Sequence, residues 1–550
     1  MGLVLNGNDD TEKFKAKKYF KIVDTKAGKV EGKIIKVLKD DGQAEIVYRF
    51  RNIPYAEPPT EDLRWKPPQR AKRWNKTLAY SDDEIWCKQP SVGVEDCLIL
   101  TIRQPASANA THPYPVLFWI HGGSFLYGSS DWYYPDEQCS ASLGMVTVSI
   151  NYRLNTFGFL SLEEIWSTVT SDEPKEQSYG NFGVMDMILA LEWVKDNIRS
   201  FGGDPNRVTI LGESAGGAAV FSLVTSPMTS TLFNKAIAAS GYPVSLESSY
   251  MKANNLYGGQ FKRDLNCTQG NANEIQKCLK GKTDEQIVDN IPFINQNTSA
   301  SDWKFPYNVT VHDYMRVIDN ITITDPLTHF TKYNKEGRLK LLIGNTAHEL
   351  GPQEEAETQD GMETYLKPRI DSFDPTQKAF ARLMKLYREK RPLDKTSPQN
   401  ITSQSIYQSM AADVALSCQT NNIVQGLRKL SNLDVYRYVV SQPLSKNFNT
   451  SSQFEPSAYH GIDTDALFGI TYYYKDYDIT NKDKALILNF RKMVKEFVYD
   501  EDQFDDSYSH KTIEFWDEKI VVWDKPYHDE ECKVLEEYGF LKRSWGQVGA

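Results

Sequence analysis

Ser214 stands in Gly212-Glu-Ser-Ala-Gly216, a hydroxyl held between two glycines in the pattern G-x-S-x-G. A β-branched run, Val208 to Ile210, leads into it, and small residues from Ala215 to Val220 lead away, so the local reading is strand, sharp turn, helix. A serine at such a turn has strained backbone angles, and its neighbours must be almost without side chain. The turn lifts the hydroxyl clear of the sheet, where a base can reach it from one side and a substrate from the other. The helix that begins there aims its positive end at the place where negative charge would develop. The chemistry this suits is nucleophilic acyl transfer, which also needs a base, an acid to orient it, and donors for an oxyanion.

Three further segments offer those parts. Phe118-Trp-Ile-His-Gly-Gly-Ser-Phe125 follows an apolar run, and its small residues let backbone N–H groups turn inward. Gly123, Ser124 and Ala215 can then present three donors to one oxygen, each typically worth about 3–4 kcal/mol in a transition state. His121 lies on this oxyanion side and is read as structural. Leu341-Leu-Ile-Gly-Asn-Thr-Ala-His-Glu-Leu-Gly351 ends a buried strand and places Glu349 at its outer edge, where a carboxylate can fix an imidazole's tautomer. His348 beside it is read as a loop residue. Ser457-Ala-Tyr-His-Gly-Ile-Asp-Thr-Asp-Ala-Leu-Phe-Gly469 supplies His460 after another strand. Ser214, then Glu349, then His460 is the chain order of the α/β-hydrolase fold and of no other serine-triad fold. Glu213, beside the nucleophile, either organises water and tunes the field or serves as a helix-start carboxylate.

These residues need a sheet to hold them. Strand-like runs at Leu98 to Ile102, Pro115 to Ile120, Met145 to Asn151, Val208 to Leu211, Lys235 to Ala239, Leu339 to Ile343 and Val435 to Val440 alternate with helical ones. The clearest helix spans Met185 to Phe201, where Ile188, Leu191, Val194, Ile198 and Phe201 recur at steps of three and four before Gly202-Gly203. Near-continuous apolar strands separated by helices predict an α/β fold, a mostly parallel sheet covered on both faces. Ahead of it, short runs between Tyr19 and Tyr55 predict an antiparallel edge. The polar stretch from Gly241 to Lys340 is expected above the C-terminal edge of the sheet, as a wall of a gorge or as a surface elaboration. Residues 1–18 and 541–550 are read as tails, and 19–540 as one domain.

Taken together these segments closely resemble type-B carboxylesterases, the family that also holds cholinesterases, neuroligins and juvenile-hormone esterases, with invertebrate carboxylesterases the most similar members. The resemblance runs from about Phe20 to Cys532. It rests on Asn52-Ile-Pro-Tyr-Ala-Glu-Pro-Pro59 with Leu63-Arg-Trp65, Glu95-Asp-Cys-Leu98, Asn151-Tyr-Arg153 with Phe157-Gly-Phe-Leu160, Gly180-Asn-Phe-Gly183, Phe201-Gly-Gly-Asp-Pro205 and Ser240-Gly241. It implies a serine carboxylesterase with the triad Ser214, Glu349 and His460 and the oxyanion hole Gly123, Ser124 and Ala215. It also implies structural ion pairs Arg64–Glu95 and Arg153–Asp186, and disulfides Cys87–Cys97, Cys267–Cys278 and Cys418–Cys532, with Cys139 left as a buried thiol. Two departures matter. The third oxyanion position is usually Gly and here is Ser124, whose side chain can narrow the acyl side. The interior of the Cys87–Cys97 loop has no aromatic residue, so it offers no cation–π platform for a choline group.

Composition narrows the partners. The 550 residues carry a net charge of −10 with no basic stripe, which argues against nucleic acid. No apolar run is long enough to span a bilayer. A small-molecule ester is the expected partner; no metal or cofactor is expected, and the oligomeric state is open. Indications of compartment conflict. The N-terminus has no signal peptide, and Gly2 is only a weak match for N-myristoylation, with Asn6 where Ser or Thr is usual. On that reading the expectation for the chain as written leans towards the cytoplasm, with localisation left open. N-x-[ST] sequons at Asn75, Asn109, Asn266, Asn297, Asn308, Asn320, Asn400 and Asn449, with the paired cysteines, point instead to the secretory route and a glycoprotein. An acyltransferase using the same acyl-enzyme and a non-catalytic adhesion protein of the same fold are the rival functions.

Overall fold

A computed structural model describes residues 20–132, 135–166, 180–241, 254–292, 316–317, 319, 321–323, 339–350, 357–372, 374, 376–389, 402–430, 433–445, 457–469, 479–499, 504 and 507–541. The expected tail 1–18, nearly all of 541–550 and much of the 241–340 insertion lie outside these residues.

The strands are β1 (Phe20–Asp24), β2 (Lys29–Leu38), β3 (Ala44–Pro54), β4 (Ile99–Pro105), β5 (Tyr114–Ile120), β6 (Val146–Ile150), β7 (Gly203–Glu213), β8 (Lys235–Ala239), β9 (Leu339–Thr346), β10 (Leu433–Val440), β11 (Thr512–Trp516) and β12 (Lys519–Trp523). They form one sheet in the order β1-β2-β3-β4-β6-β5-β7-β8-β9-β10-β11-β12. From β6 to β11 every pairing is parallel. The N-terminal hairpins and the final β11–β12 pair are antiparallel.

Side chains alternate across this sheet with period two. Val116, Phe118 and Ile120 of β5 enter one core, while Leu117 and Trp119 enter the other. In β8, Ala236 and Ala238 face the first core and Ile237 and Ala239 the second. Helices α1 (Phe182–Asn197), α2 (Ala215–Val224) and α3 (Cys418–Leu427) cover the first face; α4 (Ile462–Phe468) and α5 (Asn481–Tyr499) cover the second. Each fully buried Leu, Phe or Ile adds about 1.5–3 kcal/mol, so both faces are strongly sealed. The C-terminal helix α6 (Asp529–Glu537) packs in a satellite cluster with Leu383, Met384 and Met410.

Three details differ from the sequence reading. β4, expected within the alternating series, runs antiparallel to both β3 and β6. All seven of its residues are buried, and a run buried on both faces reads alike in either direction. The helix expected from Met185 begins a turn earlier, at Phe182, and its last turn, Ile198–Phe201, tightens to a 3₁₀ helix. The β11–β12 hairpin was not anticipated. Its connection is Asp517-Glu518, both at positive φ (44° and 65°), without the Asn-Gly or Asp-Gly that marks such turns.

The structure places Cys87–Cys97, Cys267–Cys278 and Cys418–Cys532 at disulfide bonding distance and leaves Cys139 free and buried. Among the sequons, Asn75, Asn109 and Asn266 are exposed; Asn297, Asn308, Asn320, Asn400 and Asn449 lie outside the described residues. Among the described residues no helix is long and apolar enough to cross a membrane.

Candidate active site

β7 runs to Glu213, and α2 starts at Ala215, which leaves Ser214 alone at the turn with φ 57° and ψ −122°. Holding a non-glycine residue there costs on the order of 1–3 kcal/mol, and the surroundings must impose it. They do so by closeness. A Cβ on Gly212 would lie 2.2 Å from the Gly216 carbonyl oxygen, and one on Gly216 would lie 2.1 Å from that of Ile120. Ser214 N–H donates to the Ala239 carbonyl at 2.9 Å, and Ala218 N–H donates to the Ser214 carbonyl at 2.9 Å.

The oxyanion loop packs directly on this turn. A Cβ on Gly122 would lie 3.1 Å from the Ser214 Cβ. Gly123 has φ 98°, and a side chain there would meet the Tyr127 carbonyl oxygen at 2.3 Å; Ser124 follows at φ 60°. The Gly123 carbonyl accepts from Leu126 and Tyr127, both at 2.9 Å. Among the described residues no hydrogen bond occupies the N–H of Gly123, Ser124 or Ala215, so all three remain available as donors. His121 points away from this chemistry: its ring stacks on Tyr152 with centroids 4.4 Å apart, and burial pushes its pKa down to about 4.

Glu349 follows β9. Its Oε1 accepts from Ser240 Oγ at 2.7 Å and from Thr346 N–H at 2.6 Å. Its Oε2 lies 2.5 Å from His460 Nδ1. The carboxylate is buried, with three fixed partners, and cannot swing away without stranding them. His460 follows β10 and immediately precedes Gly461 and α4, so it stands at the mouth of a helix on the sheet's C-terminal edge.

The structure therefore brings Glu349 and His460 into contact and sets Glu213, the residue before Ser214, against the same ring, but the Ser214 hydroxyl makes no hydrogen bond to His460 among the described residues. The imidazole Nε2, the atom that would take the serine proton, instead lies 3.1 Å from Glu213 Oε1. The ring is thus held between two carboxylates. Burial lowers its pKa, but Glu213 and Glu349 together raise it further, to about 10. Burial pushes Glu213 up to about 8, against the pull of His460 and with the push of Asp463, Glu349 and Asp465. The two carboxylates favour the charged form of the ring.

Sequence reasoning missed several neighbours. Ser240, quoted only as part of a motif, is a hydrogen-bond donor to Glu349. Asp463 accepts from Tyr438 OH at 2.7 Å and Asp465 from Tyr459 OH at 2.5 Å, so the acidic start of α4 is tied by phenols. The Cys87–Cys97 loop has no aromatic inside it, yet Trp86 stands just outside, its ring 6.4 Å from that of Trp132. Trp132 in turn packs 3.2 Å from where a Cβ on Gly123 would be. No spacing rule in the sequence links these three positions. Arg64–Glu95 and Arg153–Asp186 are buried pairs away from the serine, the latter at 2.7 Å, as the resemblance implied. Among the described residues no group of three His, Cys, Asp or Glu could hold a metal ion.

The sequence matches the Carboxylesterase family over residues 20–536. It is 36% identical over 287 residues to liver carboxylesterase 1 of Oryctolagus cuniculus, covering 49% of this chain and 48% of that protein. It is 33% identical over 351 residues to liver carboxylesterase 1F of Rattus norvegicus, covering 60% and 59%. Carboxylesterase 1D of Rattus norvegicus is 36% identical over 288 residues, covering 49% and 48%. The chain spans about half the length of the curated relatives it matches. With the family match running over nearly the whole fold and through the serine turn, the oxyanion loop and the Glu349–His460 pair, this chain belongs to the carboxylesterase family.

Proposed function

We propose that the protein is a serine carboxylesterase acting through an acyl-enzyme. The observation that carries this reading is the Glu349–His460 contact at 2.5 Å, beside a serine held at φ 57° under three unoccupied N–H donors. Ser214 Oγ attacks the ester carbonyl carbon while His460 Nε2 takes its proton. Glu349 holds the ring at Nδ1 and stabilises the imidazolium that forms. Gly123, Ser124 and Ala215 N–H groups receive the negative oxygen of the tetrahedral intermediate. The C–O bond to the alcohol breaks, and the alcohol leaves with the proton from His460. Water, deprotonated by the same histidine, then attacks the acyl-serine and releases the acid.

For this cycle the ring must first lose the proton that the two carboxylates favour, and Nε2 must turn from Glu213 to the serine. Glu213 then acts as a site-tuning group: it holds the ring in the unliganded enzyme and competes for its proton.

A p-nitrophenyl ester tests the reading. The expected result is a burst of nitrophenol in proportion to enzyme, lost in Ser214→Ala. A well-folded protein that releases no nitrophenol, in a burst or at steady state, overturns it and leaves the non-catalytic alternative. Running the reaction with an added acceptor alcohol separates hydrolysis from acyl transfer by its products: free acid supports the hydrolase, and a new ester in preference to acid supports the transferase.

A further inference from the structure

We infer that His348 is a positioning residue that clasps the loop of the proposed acid to the loop of the proposed base. The inference rests on the triad reading above and deepens it.

The Glu349 and His460 loops leave the sheet from neighbouring strands. β9 and β10 are paired in register up to Thr346 opposite Val440, and Ala347 N–H still donates to the Val440 carbonyl at 2.9 Å. There the two chains part. Past Val440 the β9–β10 ladder has ended, so it no longer sets where His460 stands relative to Glu349. Among the described residues the two chains meet again at His348 and Ala458, just ahead of the Glu349–His460 contact. His348 N–H donates to the Ala458 carbonyl at 3.1 Å, and an isolated parallel bridge pairs His348 with Tyr459. The side chain adds the other half: Ala458 N–H donates to His348 Nδ1 at 3.2 Å. Ala458 thus gives and receives a hydrogen bond at the same residue. That residue precedes Glu349 directly, and Ala458 lies two positions before His460.

The chemistry of the ring matters. To accept from Ala458, Nδ1 must be unprotonated, so the neutral ring carries its proton on Nε2. The backbone half of the clasp is open to any residue. The ring half needs an acceptor one bond beyond Cγ, on the side facing Ala458. Losing it leaves a partly buried N–H without its acceptor and frees the chain just ahead of the base. His348 touches neither serine nor ester carbonyl in this arrangement. Its effect passes through the Glu349–His460 distance, which must be right in the transition state and matters little for ground-state binding.

That makes the inference separable from ordinary stability. Asn carries an oxygen in the place of Nδ1, whereas Gln carries its oxygen one bond further on. Three variants, His348→Leu, His348→Asn and His348→Gln, are compared in kcat and KM on a p-nitrophenyl ester, with Ser214→Ala alongside. His348→Leu and His348→Gln are expected to lower kcat about tenfold or more while KM stays within about twofold, since small misplacements of a reacting group cost rate and not binding. His348→Asn is expected to recover kcat to within about threefold of wild type, the isosteric acceptor restoring the bond. Asn against Gln is the decisive pair, because both are neutral amides and a general loss of folding would affect them alike. Equal kcat in those two, full kcat in the Leu variant, or a loss confined to KM each overturns the clasp while leaving the triad standing if Ser214→Ala is inactive. An active Ser214→Ala overturns the triad reading, and the clasp with it.

Discussion

At the scale of single residues the histidine is the crowded one. His460 is gripped at Nδ1 by Glu349 and at Nε2 by Glu213, and its pKa is raised although burial opposes this. A general base works when unprotonated, so a raised pKa means that a higher pH is needed to free it. Glu213→Gln removes one of the two carboxylates and should therefore move the acid limb of kcat/KM to lower pH, by about one to two pH units for the loss of one close opposite charge. A pH profile of p-nitrophenyl ester hydrolysis checks this; an unmoved limb, or one displaced upward, would show that Glu213 does not hold the histidine's proton. The proposed serine, glutamate and histidine stand out in the sequence because each sits in a distinctive local setting: a glycine-flanked turn, a strand end, and a His-Gly before a helix. Ser240 and His348 do not, because what makes them matter is a partner 109 or 110 positions away.

At the scale of elements the nucleophile turn depends on how closely a helix can approach a strand. α2 lies against β5 and β8 with no room for a methyl group at Gly216, whose Cβ would fall 2.1 Å from the Ile120 carbonyl oxygen. Gly216→Ala is expected to destabilise the protein by about 1–3 kcal/mol through overpacking, read as a lower urea midpoint with an unchanged slope. An unchanged midpoint would mean that the helix can shift freely, and that the turn is not held by contact. The apolar runs of α1 and of β5 to β8 were legible because burial on nearly every side leaves an almost continuous hydrophobic stretch whatever the partner. The direction of β4 and the β11–β12 hairpin were not. A strand buried on both faces carries no sign of its orientation, and a turn of Asp517-Glu518 bears none of the usual residues. Trp86 and Trp132 illustrate the same limit at the site itself: 46 positions separate them in the chain, and only the fold sets their rings 6.4 Å apart.

At the scale of the whole molecule, Cys418 and Cys532 tie α3 to α6 across 114 positions. A cross-link of that span removes much freedom from the unfolded chain, so the double variant Cys418→Ser with Cys532→Ser should lose about 2–5 kcal/mol in equilibrium unfolding. Wild type in reductant, with all three cross-links opened, should fall at least as far, and a variant as stable as the oxidised protein would show that the cross-link constrains nothing. The order of strands has a consequence of another kind, in the making of the protein. Read from the ribosome, the sheet grows almost in step with the chain: β1 to β4 assemble side by side, β6 slots between β4 and β5, and β7 and β8 add outward. Domains generally fold as units while synthesis proceeds from the N-terminal end. By Ala239 the nascent chain holds the serine turn and the oxyanion loop, while β9, which leads to Glu349, begins only at Leu339, and β10, which leads to His460, only at Leu433. The growing polypeptide therefore carries Ser214, the proposed nucleophile, for some two hundred residues of translation before the strands that lead to Glu349 and His460 are made.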